Sequence, residues 1–121
     1  MSERLFSNKH VWVLQDGETA TIGITEYAQE KLGSIMFLNL PDVGEKLEYG
    51  QRFGDIESIK TVSDLFSPVD GEVIRINEEL VDEPDAINDE PYESWFVEVK
   101  VTSTPDDLMD EETYLAKKEE L

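Results

Sequence analysis

The segment Val11–Ile24, "VWVLQDGETATIGI", constrains the fold more than any other stretch. Its second half alternates: Ala20, Ile22 and Ile24 fall on one side of an extended chain, with Thr19, Thr21 and Gly23 on the other. Its first half, Val11–Leu14, is apolar throughout and reads as a strand covered on both faces. Between them Gln15-Asp16-Gly17-Glu18 is a turn, since Asp-Gly readily supplies positive φ. The period of two on both sides of a tight turn makes a hairpin, and with it a β fold.

More strands follow. Thr25 is placed as a helix N-cap with Glu26 at the positive end of the helix dipole, and Gly33 ends a short helix over "EYAQEKL". Tyr27, Ala28 and Leu32 can share that helix's buried face. "SIMFLNL" is a strand stopped by Pro41-Asp42, and glycines 44 and 50 bracket a short strand in Val43–Phe53. "EVIRIN" puts Ile74 and Ile76 inward, and "WFVEVKV" puts Trp95, Val97, Val99 and Val101 on one face. The acidic stretch "EELVDEPDAINDEPYES" is broken by Pro84 and Pro91 and reads as loop with short helical turns. A C-terminal helix is expected to start at Thr104-Pro105, with Tyr114, Leu115 and Lys118 along one side. The pattern as a whole gives a mostly β domain spanning residues 1–121, a sandwich or partly closed barrel.

Charge and composition narrow the function. Against 29 acidic residues stand 10 basic ones, a formal charge of −19. A phosphate-binding surface needs a basic patch, so this balance argues against nucleic acid and against anionic membranes. No apolar run approaches the roughly 18 residues of a membrane span, and "MSERLFSNKH" lacks a signal peptide's apolar core. A cytoplasmic address is expected. There is no cysteine, so disulfides, thiolate metal sites and cysteine nucleophiles are excluded. With His10 the sole histidine, a catalytic triad or a multi-histidine metal site has no material to work with.

One segment stands apart. "GDIESIKTVSDLFSPVDG", Gly54–Gly71, holds one lysine, Lys60, among serines and acids. Periodicity does not resolve it: Ile56, Ile59, Val62 and Leu65 recur every three residues as in a helix, whereas β-branched content and the bounding Gly54 and Pro68 favour strands.

"ESIKTVSD" followed by "FSPVDGEVIRIN" closely resembles the lipoylation segment of the glycine cleavage system H-protein family. The likeness continues through "ATIGITEYAQEKLGSIMFLNLP" before it and "NDEPY" with Trp95 after it, nearly the whole chain in order. The resemblance implies a barrel-sandwich hybrid of two antiparallel sheets, shared with lipoyl and biotinyl carriers, with short helices and a C-terminal helix. Lys60 would sit at the exposed tip of a hairpin flanked by Gly54 and Gly71, carrying lipoate in amide linkage. A biotin-accepting lysine resembles one with methionine on each side, whereas Lys60 stands between Ile59 and Thr61.

The resemblance implies a non-catalytic carrier. Glycine decarboxylase would load an aminomethyl group, a tetrahydrofolate-dependent aminomethyltransferase would remove it, and dihydrolipoyl dehydrogenase would reoxidise the arm. A lipoate-attaching enzyme would install it, and a free tip suits a monomer. In the family the loaded arm folds into a cleft. Asp64, four residues after the lysine, matches an acidic cleft position; His10 and Trp12 match part of a histidine–glutamate–tryptophan sequence. Trp12 and Trp95 read as packing residues. Here Val11 stands where the family commonly has glutamate, and Lys9 where it tends to have a small polar or charged residue. These departures point toward an alternative, an H-like relay donating lipoate to 2-oxoacid dehydrogenase complexes.

Overall fold

A computed structural model describes residues 3–121. Strand β1 (Arg4–Phe6) leads to the expected hairpin, β2 (Val11–Asp16) and β3 (Thr19–Ile24), turned at Gly17 with φ 65°. Helix α1 (Glu26–Leu32) follows, its N-cap Thr25 accepting the Ala28 N–H, and Gly33 closes it at φ 79°. Then come β4 (Ile35–Asn39), β5 (Lys46–Leu47), β6 (Arg52–Ser58), β7 (Val62–Phe66) and β8 (Asp70–Ile76). Short helices α2 (Glu78–Asp82) and α3 (Ala86–Asp89) precede β9 (Val97–Ser103) and α4 (Glu111–Lys117).

The strands form two antiparallel sheets. One has the order β1-β2-β3-β9-β8-β5 and the other β4-β6-β7. Their apolar faces meet in one core that takes Val13, Ala20, Ile22 and Ile24 from the hairpin, Ile56 and Leu65 from the small sheet, and Val97 and Val99 from β9. A smaller cluster of Phe6, Trp12 and Tyr114 lies on the other side of the hairpin, so β2 is covered on both faces by two different cores. This is the barrel-sandwich hybrid with a C-terminal helix.

Several expectations require correction. In β8 a bulge between Val73 and Arg75 shifts the alternation: Val73 is buried, Ile76 half-buried, and Ile74 is 40% exposed. Trp95 lies before β9, in the smaller cluster under the Arg75 guanidinium, while Phe96 enters the main core; the alternation starts at Val97. Thr104-Pro105 starts no helix; the chain turns at Asp106-Asp107 and reaches Met109, whose backbone pairs both ways with Phe6 at 2.8 Å. The helix begins at Asp110, whose carboxylate caps the Thr113 N–H, and Leu115 on it is exposed. In α1 the most buried residues are Gln29 and Leu32, with Tyr27 and Ala28 half-buried. Gly54 and Gly71 lie inside β6 and β8 rather than beside the hairpin. Each admits a close backbone crossing, since a Cβ would stand 2.4 Å from the Asn39 carbonyl oxygen and 2.6 Å from that of Lys100.

Candidate functional site

Strands β6 and β7 form a hairpin, and Ile59-Lys60-Thr61 is its turn. Ser58 builds that turn. Its N–H donates to the Thr61 carbonyl at 2.8 Å, and its hydroxyl oxygen accepts the N–H groups of Lys60 and Thr61 at 3.2 Å each. The turn is also tied outward: the Ile59 N–H donates to the Ser34 carbonyl at 3.0 Å, in the link between α1 and β4.

That link is itself clamped. Asn88 on α3 accepts the Ile35 N–H at 2.9 Å and donates to the carbonyl of Gly33 at 2.8 Å and to Gln29 Oε1 at 2.9 Å. The lysine thus rides on an exposed tip whose base is fixed from two sides. Lys60 is exposed and, among the described residues, makes no ion pair. Its side chain lies over Gly33, where a Cβ would come within 2.8 Å of Cε. Glycine there serves twice, for the positive φ that ends α1 and for the space the lysine stem uses.

Beside this tip opens a cleft of about 250 Å³ between α1, β2 and β7. Leu32, which precedes Gly33, and Ser63, three residues after Lys60, both line it, so the cleft's walls adjoin the tip along the chain. Its floor is apolar, from Val11, Ile24, Ile56 and Leu65; its rim carries Lys9, His10, Lys31 and Asp64. The structure therefore brings His10 and Asp64 together at one cavity next to Lys60. A larger groove, about 990 Å³, lies beyond Gly33 and Ser34 and carries Glu30, Asp82, Glu83, Asp85 and Asp89 with no basic residue.

Asp64 is not a free carboxylate. Arg52 Nε donates to it at 2.9 Å while another guanidinium nitrogen holds Asp55 at 2.6 Å. These are half-exposed pairs, so their contribution to stability is small. Their effect is on the charge Asp64 shows the cleft.

His10 sits in the left-handed region, φ 63°, at the turn into β2. Its Nδ1 is 2.6 Å from the Tyr114 hydroxyl, which is 2.8 Å from the Thr25 hydroxyl. One proton order satisfies all of them: Thr25 donates to Tyr114, Tyr114 donates to Nδ1, and the other ring nitrogen donates to the backbone at Leu121. Burial pushes the Tyr114 phenol up to about 12, so it stays a donor. Burial also holds His10 below its ordinary 6.5, offset in part by the Leu121 backbone and reinforced by Lys9.

The sign of the pH effect follows. With its folded pKa lowered, His10 binds fewer protons folded than unfolded as pH falls below 6.5. The stability it gives is full above that value and is lost as pH falls toward the folded pKa. Thermal unfolding of wild type and His10→Asn between pH 7.5 and 5 checks this, asparagine being tolerant of the left-handed backbone. The wild type's melting temperature should fall more on acidification than the variant's.

Sequence reasoning missed Ser63, Tyr27 and Lys31 at this cleft, and Tyr114 behind His10. Lys31 had a signal, four residues after Tyr27 on the same helical face. Tyr114 had none, being 104 residues from His10. Trp12, in contrast, lines no part of the cleft and belongs to the smaller core.

An exposed lysine on a hairpin tip, beside a cleft and on two facing antiparallel sheets, defines a carrier domain of the barrel-sandwich kind. Comparison with known proteins makes this specific. A family model described as "Glycine cleavage H-protein" matches residues 4–121. The chain is 52% identical over 119 residues to a glycine cleavage system H protein of Vibrio campbellii, covering 95% of this chain and 94% of that protein. It is 49% identical over 115 residues to one of Staphylococcus carnosus, covering 93% and 91%. The crystal structure of a glycine cleavage system H protein from Mycobacterium marinum superposes with a TM-score of 0.90 at 33% identity, over 97% of each chain. The chain belongs to the glycine cleavage H-protein family and is a carrier component of the glycine cleavage system.

Proposed function

We propose that Lys60 carries lipoate in amide linkage and that residues 1–121 work as one non-catalytic, monomeric carrier domain in the cytoplasm. The observation that carries this reading is the placement of Lys60: an exposed lysine on a fixed turn, on a hairpin whose Ser63 and Asp64 line an adjoining cleft. The surroundings fit such a group. The turn gives an attaching enzyme access to Nζ, Gly33 leaves room for the stem, and the cleft floor is apolar where a hydrocarbon arm would lie. Lys60 would hold the lipoyl group through its Nζ, and the group would supply there a redox-active dithiolane suited to carrying an aminomethyl unit among glycine decarboxylase, the folate-dependent aminomethyltransferase and dihydrolipoyl dehydrogenase.

The chain's own residues supply positioning. Ser58 and the Ser34 carbonyl hold the tip, so the arm's root is fixed while its end searches; tethering keeps that end concentrated near a docked partner. His10 and Asp64 mark two sides of the cleft rim, and the chain of hydroxyls behind His10 keeps its ring oriented and neutral.

The relay reading keeps one observation in its favour: Val11, 2% exposed, is part of the cleft wall, where an acid would hold an amine. A charge-assisted contact of that kind contributes about 1.5–3 kcal/mol. Loading of lipoylated protein by glycine decarboxylase tests the two. The shuttle reading expects wild type to be loaded, and Val11→Glu to hold the loaded form about tenfold longer against hydrolysis. Wild type that cannot be loaded while Val11→Glu can would leave the relay.

A further inference from the structure

Among the described residues, Ile59-Lys60-Thr61 makes one hydrogen bond outside its own hairpin, from the Ile59 N–H to the Ser34 carbonyl. The direction of that carbonyl therefore sets where the tip stands. Ser34 is exposed, and its peptide link to Ile35 is one rigid plane in which C=O and N–H point opposite ways. The C=O faces the hairpin. The N–H, on the other side, donates to Asn88 Oδ1 at 2.9 Å. One peptide group thus stands between the Asn88 side chain and the turn that presents Lys60.

Asn88 is suited to hold that plane. Its Nδ2 donates to the Gly33 carbonyl at 2.8 Å and to Gln29 Oε1 at 2.9 Å, so both N–H donors and the oxygen of the amide are in use. It grips the chain on both sides of Ser34, and the buried Gln29 steadies that grip from α1. Asn88 is fixed in turn by α3. Ile87 beside it is fully buried in the main core, and the Ser94 hydroxyl is in hydrogen-bond reach of the carbonyls of Ala86 and Glu90 at the helix's two ends. A bulge between Ile35 and Phe37 interrupts the β4–β6 ladder at this point, which leaves the start of β4 more dependent on the clamp. Among the described residues, Asn88 makes no hydrogen bond to the β6–β7 hairpin itself.

We propose that Asn88 is a positioning residue for modification of Lys60, holding the Ser34–Ile35 peptide so that the tip meets the attaching enzyme already oriented. The proposal rests on the assignment of lipoate to Lys60. The reaction it serves forms an amide bond at Nζ as the acyl–phosphate bond of a lipoyl adenylate breaks; AMP leaves and the amine's proton passes to solvent. Nothing in that chemistry needs Asn88. Its contribution is to docking. A tip held in place loses less freedom when an enzyme closes on it, and a loosened tip weakens the encounter rather than the bond-forming step.

The test compares full-length wild type with Asn88→Asp, Asn88→Ala and, as a control on the same helix, Ser94→Ala. Aspartate keeps an acceptor for the Ile35 N–H but turns a carboxylate oxygen toward the Gly33 carbonyl and Gln29 Oε1; alanine removes all three bonds. Amide hydrogen exchange is read at Ile59 and, as the reference for the whole fold, at Val99 in the interior strand β9. Both Asn88 variants are expected to lose about tenfold protection at Ile59 beyond any loss at Val99, and Ser94→Ala to change Ile59 by less than about twofold. Initial rates of lipoylation by a lipoate-attaching enzyme, followed by intact mass, should show the KM for the Asn88 variants raised about fivefold with kcat within about twofold of wild type. A loss of stability alone would lower protection at Val99 and leave KM where it was. Should the alanine variant not fold, the aspartate variant, nearly equal in volume, carries the test. Unchanged protection at Ile59, an equal loss in Ser94→Ala, or an unaltered KM would each overturn the proposal while the carrier assignment stands. Wild type that gains no lipoyl mass would overturn the assignment of Lys60 and this proposal together, which is a distinct result.

Discussion

Protein bearing Lys60→Arg, made with lipoate supplied and its attaching enzymes present, is expected to show no lipoyl mass increment, where the wild type shows one. The argument is chemical before it is structural. Acylation needs a neutral amine, and a lysine at an exposed turn can lose its proton to a modifying enzyme. A guanidinium stays protonated in proteins and offers no nucleophile. The backbone of the turn does not depend on the side chain: Ser58 and the Ser34 carbonyl make its hydrogen bonds through main-chain groups of Ile59, Lys60 and Thr61. The melting temperature should therefore stay within about 2 °C of wild type, as for other exposed substitutions. Loss of the whole increment with the fold retained assigns the attachment. An increment that persists in the variant places it on another lysine, of which Lys9, in the turn between β1 and β2 and at the same cleft, is the first to map.

Sequence and structure agree most closely where a strand's two faces have unlike surroundings. The Val11–Ile24 hairpin was legible to its turn residue because β3 has main core on one face and Thr19, Thr21 and Gly23 on the other. Strand β2, apolar from Val11 to Leu14, is covered by the main core on one face and the smaller core on the other. The segment around Lys60 was not legible from periodicity, and the structure shows the reason. Ile56 and Leu65 are 0% and 3% exposed, while Ile59 and Val62 are 66% and 60% exposed. The three-residue recurrence came from two strands straddling a turn, with inward residues on the strands and outward ones near the tip. Only the longer match to a family segment read it as a hairpin. At the other end, Thr104-Pro105 carried a sound local signal for a helix, which lost to a long-range one: the pairing of Met109 with Phe6 takes up the chain just before Asp110, where the helix is capped. The cleft was half legible. His10 and Asp64 came from the resemblance, whereas Tyr114 and the lysine rim depend on which distant elements the two sheets bring together.

That same packing predicts the largest loss of stability from one side chain. Trp12 points away from the cleft, into the smaller core, and is 1% exposed. Its ring lies on Gly23 of the neighbouring strand, where even a Cβ would stand 2.6 Å from the indole carbons, so the cross-strand pair Trp12–Gly23 is a matched large and small residue. The Arg4 guanidinium lies 4.8 Å from the Trp12 ring and 4.9 Å from that of Tyr92, sandwiched where its Nε has no hydrogen-bond partner and the π-faces take that role. Indole Nε1 donates to the Pro91 carbonyl at 3.1 Å, anchoring the loop that carries Tyr92. Trp12→Ala removes all of this at once, opening a cavity, leaving the Pro91 carbonyl without its donor, and leaving the half-buried Arg4 guanidinium only Tyr92, to whose carbonyl it donates at 3.1 Å. A cost of about 3–5 kcal/mol is expected, a fall in melting temperature on the order of 10–20 °C for a domain of this size. Because Gly23 fixes the shape of the site, Gly23→Ala should be destabilising in the wild type yet partly compensating in Trp12→Ala, a coupling that a double-mutant cycle measures. Trp12 lines no part of the cleft, so the folded fraction of Trp12→Ala should still be lipoylated at Lys60. Its modification failing at a temperature where circular dichroism shows native structure would mean that the smaller core, through β2 and His10, shapes the hairpin tip as well as supporting the fold.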